Sequence, residues 1–85
     1  MSTSFASYTK KQIPIFVKGM WMQVDVPSAL PSAMQFSYAT TWVAARLKDF
    51  PEHDADIVAE AYVYQRMYPG LVHSEKVRDM LKRVS

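Results

Sequence analysis

The dipeptide Lys18-Gly19 constrains this chain more than any other feature, because it joins two apolar-rich runs, residues 11–17 and 20–26, that alternate in character. A two-residue link between alternating β-branched and aromatic runs predicts a β-hairpin. Pairing Val17 with Met20 sets Ile15 opposite Met22 and Ile13 opposite Val24, so all six inward positions are apolar. The outward face then carries Pro14 with Gln23 and Phe16 with Trp21. Counting from a hydrogen-bonded 17/20 pair places Pro14 in a non-bonded pair, where its missing N–H points away from the partner strand. A three-residue loop with Phe16 opposite Met20 would put Pro14 at a bonded position and break the apolar face, so the first register is expected. Its weak point is Lys18. A type I′ turn needs positive φ at both central residues, and of the two only Gly19 adopts it cheaply. Pro14 also marks strand 1 as an edge strand, so any further strand would add beyond strand 2.

The remaining chain reads as three helices. Pro31 suits a first-turn position, and a helix over 31–49 should stop at Phe50-Pro51. Phe36, Ala39, Thr40, Val43, Leu47 and Phe50 form one expected core stripe at 100° per residue; Met34, Tyr38, Trp42 and Ala45 lie opposite. A second helix is expected from an Asp54 cap to Pro69-Gly70. Its core stripe is Ile57, Ala61, Tyr64 and Tyr68, widened by Val58, Tyr62, Val63 and Met67. Ser74 caps a third, with Val77, Met80, Leu81 and Val84 at helical spacing and Lys82 and Arg83 at its dipole-complementing end. The expected fold is α+β, an N-terminal β-hairpin packed on three helices, ββααα. Residues 1–11 are expected to be a flexible tail, from which Phe5 and Tyr8 could dock, and 12–85 a single domain.

At 85 residues the chain suits one domain, burying about 60 to 65% of its unfolded surface. A hydrophobic content of 49% supplies the apolar area a core needs. The absence of cysteine excludes disulfides and thiolate chemistry, and points to a reducing, cytoplasmic setting. No run is long enough to span a bilayer, the N-terminus lacks an apolar signal core, and Arg46 is the first arginine, against a mitochondrial transit peptide. No membrane contact is expected.

Three chemistries can be weighed on the residues. Asp49, Glu52, His53, Asp54 and Asp56 could suggest a divalent metal, but they lack the EF-hand glycine and closing glutamate. Carboxylates at a helix start already account for them, and no metal is expected. An enzyme lacks a plausible constellation: His53 and His73 sit beside helix starts, His73-Ser74 are adjacent and diverge, and Gly19 and Gly70 cannot make a phosphate loop. Neither catalysis nor a cofactor is expected. A helix-turn-helix could place Lys76, Arg78, Lys82 and Arg83 on DNA with the hairpin as wing. Glu75 and Asp79 interrupt that field, and the net charge is only +2.

Aromatic bulk is the remaining clue. Two surfaces exceed what a single core needs, the Phe16, Trp21 and Gln23 face of the hairpin and the Met34, Tyr38 and Trp42 face of helix 1. Aromatic and methionine side chains with few charges are what interface centres contain. The expected function is a non-enzymatic protein-interaction module, a regulator, inhibitor or adaptor. Self-association as a homodimer is expected from these faces and the unpaired edge of strand 2. A DNA-binding regulator is the alternative.

Overall fold

The computed structural model describes residues 9–85. Most of the expected tail, including Phe5 and Tyr8, falls on residues 1–8 and lies outside the described residues. Its end is corrected: β1 (Lys10–Val17) already includes Lys10 and Lys11, and pairs antiparallel with β2 (Met20–Pro27). The alternation of apolar and polar residues gives the expected register, with Val17 opposite Met20, Phe16 opposite Trp21 and Pro14 opposite Gln23. Lys18 and Gly19 both take positive φ, 50° and 80°, as a type I′ turn demands. Thr9 closes the open end by accepting from the backbone N–H and the hydroxyl of Ser28, each at 2.9 Å.

A lysine in the left-handed region costs energy that asparagine largely avoids. Lys18→Asn is therefore expected to stabilise the protein by about 0.5 to 1 kcal/mol, read as a higher urea midpoint at unchanged slope. A lower midpoint would show that the Lys18 side chain makes a contact worth more than the turn strain.

Three helices follow: α1 (Ser32–Leu47), α2 (Glu52–Met67) and α3 (Glu75–Val84). Pro31 stands at the N-cap of α1, and its carbonyl accepts from the amides of Met34 and Gln35. The Gln35 side chain is buried and donates to the Leu30 carbonyl at 2.9 Å, tying the turn after β2 to the helix. α1 ends in a Schellman-type cap: the Phe50 amide bonds to the Ala45 carbonyl and the Asp49 amide to that of Arg46, both at 3.0 Å, with Asp49 at φ 67°. The chain thereby reverses, and α2 returns against α1. Pro51, rather than Asp54, is the N-cap of α2, leaving Glu52 and Asp54 in the first turn where carboxylates favour the helix dipole. Ser74 caps α3 as expected, its hydroxyl accepting from the Val77 amide at 3.3 Å.

The core has two parts. Under the hairpin, Ile15, Val24, Val26, Tyr38, Ala39 and Val63 pack together. At the other end Ala45, Phe50, Ala55, Val58 and Met80 join α1, α2 and α3. This division corrects the expected helix stripes. On α1, Phe36 and Leu47 are 61% and 50% exposed, while Tyr38 and Ala45 are fully buried. Tyr38 and Ala39 pack in one cluster with Ile15 and Val24 of the hairpin and Ala59 and Val63 of α2, and the Phe36–Leu47 flank is left open. On α2, Val58, Ala59 and Val63 are central and Tyr68 is exposed, because α2 is covered from more than one direction. Met20 is also corrected: it lies on the inward side of the ribbon, but next to the turn it is exposed.

Candidate protein-interaction surface

Alternation on β1 and β2 gives the hairpin two unlike faces. Ile15 and Val24 point into the core, and Phe16 and Trp21, on the opposite face, remain 59% and 68% exposed. Their rings form a tilted pair with centroids 5.2 Å apart and planes at 59°. A directly opposed aromatic pair of this kind contributes about 0.2 to 1 kcal/mol to the ribbon. Most of each ring is nonetheless left in water. Met20, on the other face, is 66% exposed beside the turn, and Gln23 is exposed two residues along β2 from Trp21.

The helix 1 face expected to bind a partner is resolved differently. Tyr38 is fully buried and offers no contact surface, while Met34 and Trp42 are half-buried against the core beneath the hairpin. Opposite faces of α1 are both apolar because two neighbours cover them. Trp42 is further engaged: its indole Nε1 donates to Asp56 Oδ1 at 2.8 Å, and the Arg46 guanidinium lies 5.9 Å from the ring centroid. Among the described residues no group meets the buried Tyr38 hydroxyl at full hydrogen-bond geometry, although the Asp56 carboxylate lies close by. Burial, with smaller contributions from the nearby carboxylates of Asp56 and Glu60, raises its pKa well above the ordinary tyrosine range.

The acidic run is dispersed by the fold. Asp49 occupies the left-handed position after α1, Glu52 and Asp54 lie in the first turn of α2, Asp56 holds Trp42, and His53 is exposed. Among the described residues no group of three or more His, Asp or Glu side chains is placed to hold a metal ion. On α3, Lys76, Arg78 and Lys82 line a broad depression of about 660 Å³ together with Glu75 and Asp79. Arg83 turns toward the second core, its guanidinium 4.4 Å from the Phe50 ring centroid. The four basic residues therefore do not form an uninterrupted positive strip. No helix among the described residues is long and apolar enough to cross a membrane.

Two features escape the sequence pattern. Tyr68, Leu71 and Val72 are exposed around the α2–α3 connection. A polar cleft of about 290 Å³ is lined by Lys10, Gln23, Asp25, Trp42, Glu52 and Asp56. It draws on both strands and two helices, so no linear spacing announces it. No protein-family model matches the chain, and no match is found among curated proteins or solved structures. The surface is left to speak through its own chemistry.

Proposed function

We propose that this chain is a non-enzymatic protein-binding module, a regulator, inhibitor or adaptor, that engages its partner through the outer face of the hairpin. The observation that carries this is the exposed Phe16–Trp21 pair on the face of the hairpin opposite the buried Ile15 and Val24. Rigid aromatic side chains lose little conformational freedom on binding, and tryptophan is the residue most enriched among binding hot spots. Phe16 and Trp21 together offer on the order of 300 Å² of exposed surface, at the lower end of the range of the largest, often functional, patch on a soluble monomer.

Affinity capture from the native cell, with partner identification by mass spectrometry, supplies the ligand for a binding assay. Trp21→Ala is then expected to weaken that partner by about 2 kcal/mol or more, roughly 30-fold in Kd. Unchanged affinity would remove the outer face from the interface. Light scattering after gel filtration tests the expected self-association, and a 9.8 kDa monomer at every concentration would leave only a different partner.

DNA binding through α3 has less support, because Glu75 and Asp79 share the depression with the basic residues. Binding to duplex DNA at low salt is expected to be at most weak and independent of sequence. Tight, salt-sensitive binding abolished by Lys76→Glu with Arg78→Glu would instead favour the DNA-binding alternative.

A further inference from the structure

Resting on the outer-face reading above, we infer that the partner is an extended segment that adds as a third strand to the free edge of β2, and that it carries a basic side chain for the acidic cleft beside that edge. Counting from the bonded 17/20 pair, the backbone groups of Trp21, Gln23 and Asp25 point away from β1. Among the described residues the sheet has two strands, and no loop or side chain bonds to these outward groups. The outer edge of β1 is a poorer template, since Pro14 lacks a donor there. Residues 20–24 of β2 carry neither the lysine nor the proline that commonly protect an open edge.

A strand added to that edge would set alternate side chains beside Trp21, Gln23 and Asp25 on the outer face. At the Trp21 position the neighbour meets exposed aromatic surface, which suits an apolar side chain. Beside Asp25 it meets the cleft, where the carboxylates of Asp25, Glu52 and Asp56 outnumber the single ammonium of Lys10. This charge selects lysine or arginine. It also disfavours a second copy at this edge, because twofold pairing of β2 with itself would bring the acidic cleft toward its own image. In antiparallel order the ligand reads basic, any, polar, any, apolar.

The probe is the acetylated, amidated peptide Thr-Lys-Thr-Thr-Thr-Leu-Thr, added to the full isotope-labelled chain and followed by amide hydrogen exchange. At saturation the amides of Trp21, Gln23 and Asp25 are expected to slow by about tenfold or more, while those of Gln12 and Phe16 on the far edge stay unchanged. N-methylation at the lysine and leucine positions should abolish this protection, and glutamate in place of lysine should weaken binding. Asp25→Asn with Glu52→Gln, two exposed positions, is expected to reduce affinity about fivefold, and less so at high salt. Strand addition is overturned if the β2 amides exchange equally fast with saturating peptide, or if the N-methylated or glutamate peptide binds as well. It is also overturned if those amides are already protected in the free chain: with concentration dependence a second copy holds the edge, and without it the chain's own residues do. If Trp21→Ala weakens capture while β2 stays unprotected, strand addition fails and the contact face stands. If β2 is protected and Trp21→Ala leaves capture unchanged, the aromatic contact fails instead.

Discussion

Ile15→Ala is expected to destabilise the protein by about 2 to 5 kcal/mol, the cost of removing buried methylene and methyl groups and leaving a cavity the hairpin cannot close. Ile15 is nearly fully buried, on the one face of β1 that meets α1, and packs with Val24, Tyr38 and Ala39. A domain of this size loses about 4 to 8 °C of Tm per kcal/mol, so the melting point should fall by roughly 10 °C or more. Met22→Ala should cost less, because Met22 is only half-buried on the same face. A loss under about 0.5 kcal/mol for Ile15→Ala, the scale of a surface substitution, would mean that the hairpin is not packed on the helices.

The second large effect is expected at Tyr38, the largest of the fully buried side chains. Tyr38→Ala removes an aromatic ring from the contact between hairpin and helices and should cost about 3 to 5 kcal/mol, the scale of other large aromatic truncations. Tyr38→Phe tests the hydroxyl alone. Because no group among the described residues meets that hydroxyl at full hydrogen-bond geometry, its removal should be neutral or stabilising by about 1 kcal/mol. A loss of stability would show that the hydroxyl bonds to the nearby Asp56. The pH dependence has a definite sign. The folded pKa lies above the ordinary value of 10.0, so the unfolded chain releases this proton first as pH rises. Stability linked to Tyr38 is full below about pH 10 and lost progressively above it. Urea titrations at pH 9 and 11 should show a smaller alkaline loss in Tyr38→Phe than in the parent. Equal losses would assign it to other groups.

The hairpin was legible residue by residue because period-two alternation, a two-residue turn and one proline all select the same register. Lys18 shows the limit of local rules: the turn forces positive φ on a lysine because the long-range pairing fixes the loop at two residues. Helix 1 was legible as a two-faced helix, but not in which apolar residues stay outside. Phe36 and Tyr38 are equally plausible core residues by composition, and only the placement of the hairpin against α1 buries one and exposes the other. The Asp49 turn explains the α2 cap, since the Schellman-type reversal hands the chain directly to Pro51 before Asp54 is reached. At the candidate site, Phe16 and Trp21 could be read from alternation alone. Tyr38 could not be distinguished from a surface aromatic, and the cleft between β2 and the helices exists only once Gln23, Asp25, Trp42 and Asp56 meet in space.

The division of the hairpin into a core face and a contact face is tested most directly by melting the parent, Ile15→Ala and Trp21→Ala side by side at one concentration low enough to keep the subunit isolated. Trp21→Ala should lose no more than the 0.2 to 1 kcal/mol that its pairing with Phe16 contributes, about 8 °C at most, while Ile15→Ala loses about 2 kcal/mol or more. Equal loss in the two variants would contradict the account, because it would mean that the outer face is already buried within the single subunit and is not available to a partner.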